Sequence, residues 1–325
     1  MTLMIAAAET ALLVIICFGA LTGNVTLFVI IAKTPLLRTK GNLFILNLAV
    51  ADLLIAVISI PITIVTIISE DWVLGEKVCT ASGFFTLLTF VASCVALTMI
   101  SVNRYHAICH WIKYEKKYTR GACVVYVAGM WAIIIGLSVP PLFGWAKFAY
   151  DKGQSYCFVE WSSSKSYTIF MIMSCLFGPV TVMTFCYVRI YKFKKASSSN
   201  VQSSTQHPTT KIAPHDVHRK GKVVRQSAVR SDRKLSCTIF TLVVVFVLCW
   251  SPFACIMLLQ VFFDVRAPRW ADFGSLVLGY ANSFCNVFVY NATNKQIRSR
   301  YLRLLGCKQN RVHVGSQLRI KNRGR

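Results

Sequence analysis

Acid is what this chain has least of. Its 325 residues hold 12 Asp and Glu against 36 Lys and Arg, and charged residues make up only 15%. With 55% hydrophobic residues and a mean hydropathy of +0.55, one soluble core could not cover so much apolar surface. Lipid is the solvent that suits it. The histidines, at 106, 110, 207, 215, 218 and 313, all lie outside the membrane core, so the sequence offers neither a nucleophile–base pair nor metal ligands at membrane depth. An intramembrane enzyme is therefore not expected. Internal repeats and clusters of intramembrane charge are also missing, which weighs against the alternative of a membrane transporter or channel.

What is present is a series of apolar runs, at about 4–32, 43–69, 83–108, 122–145, 167–190, 235–263 and 273–292. Each reaches the roughly 20 residues that a helix needs to cross about 30 Å of hydrocarbon. The expected fold is an all-α membrane protein: a seven-transmembrane helix bundle over 1–291, then a short amphipathic inner-leaflet helix and basic cytoplasmic tail over 292–325. Asn24 inside the first run argues for a retained helix rather than a signal peptide. A polar, proline-containing stretch at about 196–231 reads as a flexible inner loop.

Lys and Arg accumulate in segments that stay in the cytoplasm. With the N-terminus outside, the inner segments hold Arg38, Lys40, Lys113, Lys116, Lys117 and Arg120, and the tail from Lys295 to Arg325 carries no acid. The outer loops are mixed, with Glu70, Asp71, Glu76, Asp151, Glu160, Asp264 and Asp272. The N-terminus is therefore expected outside and the C-terminus in the cytoplasm. The net charge of +24 lies beside membrane spans, where anionic lipid and acidic partner surfaces are nearer counter-ions than nucleic acid. Of 13 cysteines, only Cys79 and Cys157 fall in the outer, oxidising compartment, so they are expected to pair. Cys307, among basic residues past the last run, is a palmitoylation candidate.

Ionisable groups inside spans are expensive and therefore suggest function. Asp52 is a lone carboxylate, with Asn24, Ser93, Asn282, Ser283 and Asn286 at similar depth. Neutral oxygens around one carboxylate suit a small monovalent cation, Na⁺; the plainer alternative is hydrogen bonding between spans. At the inner end of span three stands Asn103-Arg104-Tyr105, and Asp232 near the start of span six is the acid expected to reach Arg104. A salt bridge made in one state and broken in another is a bistable element; the alternative is an Arg104 that extends to lipid phosphate. Pro61, Pro179 and Pro252 interrupt spans two, five and six, and Trp250 sits beside the last of them.

Taken in order, Gly23-Asn24, the LAVAD ending at Asp52, Cys79 with Cys157, Asn103-Arg104-Tyr105, Trp131, Pro179 with Tyr187, Cys249-Trp250-Ser251-Pro252 and the Asn286-to-Tyr290 stretch resemble the rhodopsin-like (class A) G-protein-coupled receptors. The resemblance covers Leu21 to Cys307. It implies a plasma-membrane receptor that passes an extracellular ligand's signal to a heterotrimeric G protein, with arrestin as a further partner through Ser197–Ser199 and Ser203–Thr205. Arg104, Tyr105, Asp232, Tyr187 and Tyr290 resemble its G-protein switch, and Trp250 with Phe246 and Pro179 its transmission core. Asp52, Ser93, Asn282 and Asn286 resemble its sodium site. Two departures stand out: Asn103 replaces the usual Asp, and Val287 the usual Pro, so appreciable basal signalling and a straighter span seven are expected.

Within the class the stretch from Asn103 to Thr119 is similar to melatonin receptors, and that from Pro140 to Cys157 to opsins. An opsin needs a span-seven Lys six residues before Asn286, where this chain has Tyr280, so a covalent retinal photoreceptor is excluded and no covalent cofactor is expected. Where melatonin receptors place a ligand-holding Asn and Gln, this chain has Pro141 and Trp161. Amine receptors carry an Asp seven residues past the disulfide Cys; here it is Thr86, so no acid awaits a protonated amine. The expected pocket is bounded by Thr86, Cys175, Trp250, Phe253 and Tyr280 and takes a small, neutral or aromatic ligand. No glycosylation sequon lies outside the membrane, and no large hormone-binding ectodomain is expected.

Overall fold

Helices and closed barrels are the structures that satisfy their own backbone hydrogen bonds in hydrocarbon, and each apolar run of this chain forms a helix, the fourth ending at Ser138, short of the expected 145, where Pro140 and Pro141 turn the chain. The computed structural model describes residues 3–205 and 216–304, with the side chains there other than those of 197–237 and 296. Among the described residues, six helices are long and apolar enough to cross a membrane: Leu3–Lys33, Lys40–Ser69, Glu76–Cys109, Arg120–Ser138, Lys165–Ala196 and Thr238–Phe263. The seventh, Arg269–Thr293, has 25 residues and buries Asn282, Ser283 and Asn286. Those polar groups lower its hydropathy without shortening it. These helices are spans one to seven.

Local chemistry sets where several of them start and bend. Spans two, four and five begin at hydroxyl caps: Thr39 accepts from the Asn42 amide at 3.3 Å, Thr119 from Ala122 at 3.2 Å and Ser164 from Tyr167 at 3.3 Å. Just before Pro61 and Pro179 the backbone widens into π-type turns, Ile55–Ser59 and Ile172–Phe177. A proline ring cannot donate and crowds the carbonyl one turn back, which the wider turn relieves. Pro252 lies within span six, whereas span seven, carrying Val287, is continuous.

The expected loop at about 196–231 is corrected at both ends. Span five is helical to Thr205, and the helix leading into span six is described from Asp216. Residues 206–215 lie outside the described ones, and both prolines of the segment, Pro208 and Pro214, are there.

Span three is central, packing on spans two, four, five and six, while span seven packs on one and six. The burial pattern is that of a bundle in lipid. Asp52 and Asn286 are almost fully enclosed, whereas Phe18, Val125 and Leu248 on the outside are each more than 60% exposed. Between spans four and five, β1 (Lys147–Asp151) and β2 (Tyr156–Glu160) form an antiparallel hairpin with Tyr150 opposite Cys157. The Cys79–Cys157 disulfide ties it to the start of span three. At the other end a short helix, Trp111–Lys117, links spans three and four. A tail helix, Lys295–Leu304, follows span seven and is held by buried Ile297 and by the Tyr301 hydroxyl, which donates to the Gly23 carbonyl at 2.5 Å.

Candidate functional site

Three linked regions run along the bundle, beginning at the disulfide end. Tyr156, Cys157, Phe158 and Val159 of β2 are all buried, so the strand lies across the mouth of the bundle rather than above it. Phe158 meets Phe253 of span six at 5.9 Å and Trp161 at 5.6 Å between ring centres, and Trp161 stacks on Tyr167 at 6.4 Å. Below them Trp250 contacts Phe90 at 4.7 Å and Phe253 at 5.9 Å. It lies so close to Gly279 that a Cβ there would be 3.0 Å from the indole.

Of the expected pocket residues, Trp250 and Phe253 touch each other, and Tyr280 follows Gly279 in the chain. Thr86 and Tyr280 turn their hydroxyls to span two, to Ser59 Oγ at 2.9 Å and Thr63 Oγ1 at 3.1 Å. Cys175 is buried, with its thiol against that of Cys94 on span three. The sequence reading missed Phe158, Ser59 and Thr63. No alternation singles out Phe158, since Tyr156 to Val159 are apolar and buried alike, and which span-two hydroxyls face the centre depends on the π-type turn before Pro61.

The polar middle is built around Asp52. Asn286 Nδ2 donates to its Oδ2 at 3.0 Å, and Asn24 Nδ2 donates to the Ser283 carbonyl at 3.2 Å, joining spans one, two and seven. Ser93 donates to the Thr89 carbonyl at 3.1 Å, which leaves its oxygen able to accept. Asp52 Oδ1, Asn282 Oδ1 and Asn286 Oδ1 are buried acceptors without a hydrogen-bond donor. Buried acceptors in that condition are costly, and a small hard cation would satisfy them. The donor set, one carboxylate with neutral oxygens, thus fits Na⁺. Among the described residues no three His, Cys, Asp or Glu cluster as a metal group would.

At the third region Arg104 is 5% exposed and Asn103 1%. Asn103 Nδ2 donates to the Tyr114 hydroxyl of the short helix at 3.3 Å. Burial pushes the Tyr114 phenol up from its ordinary pKa, so it stays a neutral hydroxyl. Tyr187 reaches Ser101 at 3.5 Å and packs on Phe240 at 5.3 Å, connecting spans three, five and six. Tyr105 turns instead to His110, at 2.9 Å, and to Phe185. Tyr290 is buried. Asp232 falls on a residue whose side chain is outside the described ones, and Cys307 lies outside them altogether. A cavity of about 1330 Å³ opens here, with Arg104, Tyr114, Arg120, Thr238 and Asn294 in its wall. Tyr114 was missed because nothing in the sequence signals that a residue eleven places past Asn103 folds back onto it.

The chain is similar to proteins of known name along most of its length. It is 31% identical over 288 residues to the melatonin receptor type 1B-B of Danio rerio, covering 87% of this chain and 77% of that one. It is 31% identical to the melatonin receptor type 1B of Rattus norvegicus, covering 87% and 73%. To the human melatonin receptor type 1B it is 28% identical, over 93% and 79%. Squid rhodopsin has the same fold, with a TM-score of 0.82 at 20% identity over 94% of this chain and 88% of that chain. The model of the 7 transmembrane receptor (rhodopsin family) matches residues 23–290. That match takes in all three regions, and the chain therefore belongs to the rhodopsin family of seven-transmembrane, G-protein-coupled receptors.

Proposed function

We propose that this receptor sits in the plasma membrane with its N-terminus outside, binds a small, neutral, aromatic ligand under the β2 strand, and opens its Arg104 end to a heterotrimeric G protein. The observation that carries the ligand class is the wall of the pocket. Phe90, Phe158, Trp161, Trp250, Phe253 and Tyr280 supply aromatic surface there, and Thr86 stands where a cationic amine would need an acid. A protonated ligand would be desolvated there without a counter-charge. The relatives named as melatonin receptors make indole amides the first compounds to test, with Pro141 and Trp161 predicting a changed selectivity.

The mechanism is a shift of population. A ligand that binds better when Trp250 moves off Phe90 and Phe253 favours the state in which span six swings at Pro252. That swing carries Phe240 away from Tyr187 and widens the cavity beside Arg104, where a G-protein helix enters. Na⁺ held by Asp52, Ser93, Asn282 and Asn286 would favour the closed state by tying spans two, three and seven together. Phosphorylation of Ser197–Ser199 and Ser203–Thr205 is the proposed route to arrestin. Guanine-nucleotide exchange on purified heterotrimer, run with neutral indoles and with protonated amines, tests the reading. Stimulation by neutral compounds alone is expected, and stimulation by amines alone would overturn the ligand class.

A further inference from the structure

Among the described residues, two pairs of free thiols meet across spans. Cys94 of span three is hydrogen-bonded to Cys175 of span five, and Cys249 of span six to Cys285 of span seven. The first pair is enclosed, at 1% and 5% exposure, and serves as packing. The second lies at the seam of spans six and seven, where Cys249 is buried and Cys285 only half-buried. Leu248, the residue before Cys249, is 64% exposed, and Phe288, one helical turn past Cys285, is 57% exposed. The open part of Cys285 therefore lies at the lipid-facing side of the seam. Cys249 stands three residues before Pro252, and Cys285 directly before Asn286 of the polar middle.

Two thiols in contact can meet an oxidant or share a soft metal ion. A bis-thiolate around a monovalent metal carries a net negative charge, which hydrocarbon opposes, whereas a disulfide is neutral. We propose that Cys249 and Cys285 are a modification site for an organic hydroperoxide, of the kind borne by an oxidised acyl chain, and close to a disulfide between spans six and seven. Cys285, the more accessible sulfur, attacks the terminal peroxide oxygen. The O–O bond breaks, the Cys285 proton leaves on the alcohol, and the sulfur becomes a sulfenic acid. Cys249 then attacks that sulfur, the S–O bond breaks, and the hydroxyl departs with the Cys249 proton as water. Two electrons pass from the sulfurs to the peroxide, and no further reagent is needed. The new bond ties span six beside Pro252 to span seven beside Asn286 and so locks span six in place, a consequence that rests on the swing proposed above.

The site is tested on the full-length receptor in phosphatidylcholine nanodiscs, exposed to cumene hydroperoxide or to the same concentration of hydrogen peroxide. Free and reducible thiols are then labelled apart and read by peptide mass spectrometry. Cys249 and Cys285 should become reducible together, at least about fivefold faster with the apolar hydroperoxide and at least about fivefold faster than Cys94 and Cys175. Labelling needs neither ligand nor G protein, so its failure is separate from failure of the proposed function. With the oxidant removed before the G protein is added, ligand-free nucleotide exchange should fall at least about threefold in the oxidised wild type and not in Cys285→Ser. Cys249→Ser serves if that variant fails to fold. Equal oxidation of both thiol pairs, equal rates with the two peroxides, or sulfinic acid on Cys285 without a disulfide would overturn the site. Unchanged exchange in the oxidised wild type, or an equal fall in the serine variant, would overturn the lock.

Discussion

The Arg104 guanidinium occupies the place where Gly41 has no side chain. A Cβ on Gly41 would lie 1.7 Å from Arg104 Nη2 and 3.2 Å from Asn103 Oδ1. Span two therefore accommodates the Arg104 guanidinium through an absence, and this yields the first prediction. Gly41→Ala should push the guanidinium, the mobile end of its side chain, out of its resting position. With about 1 kcal/mol of preference removed, ligand-free nucleotide exchange should rise about fivefold. Unchanged basal exchange in a normally folded variant would show that the contact has no bearing on switching.

Asn103 stands in the chain where an Asp would put a carboxylate directly before Arg104. Asn103→Asp restores it, and the Tyr114 hydroxyl, now 3.3 Å from Asn103 Nδ2, can rotate to donate to the new acid. A charge-assisted pair beside Arg104 stabilises the closed state, so basal exchange should fall several-fold, about 1 kcal/mol in population. Equal basal rates for the two proteins would remove Asn103 as a cause of basal signalling.

Sodium dependence follows from the acceptors around Asp52. Basal exchange in NaCl should be lower than in the same concentration of choline chloride, and Asp52→Asn, which keeps the shape but not the charge, should abolish the difference. A salt effect that survives in Asp52→Asn would place the ion elsewhere.

The disulfide fixes β2 over the mouth. Cys79→Ser with Cys157→Ser should destabilise the receptor by about 2–5 kcal/mol and weaken ligand binding by freeing the hairpin. The readouts are the melting temperature and radioligand affinity. A variant with unaltered affinity would show that β2 is held by its buried side chains alone.

Gly279 offers a test of the Trp250 contact. A methyl group 3.0 Å from the indole presses the ring toward Phe90 without altering any polar group, and Gly279→Ala should change agonist efficacy more than expression. Dose–response curves for nucleotide exchange separate the two.

Much of this was legible because lipid enforces a simple code. Nearly uncharged runs of span length marked the helices, and the few polar residues inside them, Asp52, Asn286 and Arg104, stood out as candidates because such groups are expensive in hydrocarbon. The helical extension to Thr205 and from Asp216 was not legible, because polarity resembles disorder whether or not a helix forms. Nor were the partners of Thr86 and Tyr280 on span two, whose facing is set by a π-type turn that no single residue announces.

By itself the sequence determined the number of crossings, the pairing of Cys79 with Cys157 and the chemical character of each region, because these depend on which residues tolerate lipid and which side of a membrane oxidises. Only the tertiary structure decided that Asn103 leans on Tyr114, that Gly41 makes room for Arg104, and that the thiols of Cys249 and Cys285 meet between spans six and seven. Those are relations between helices distant in sequence, and their register is set by packing and helix distortion rather than by local composition.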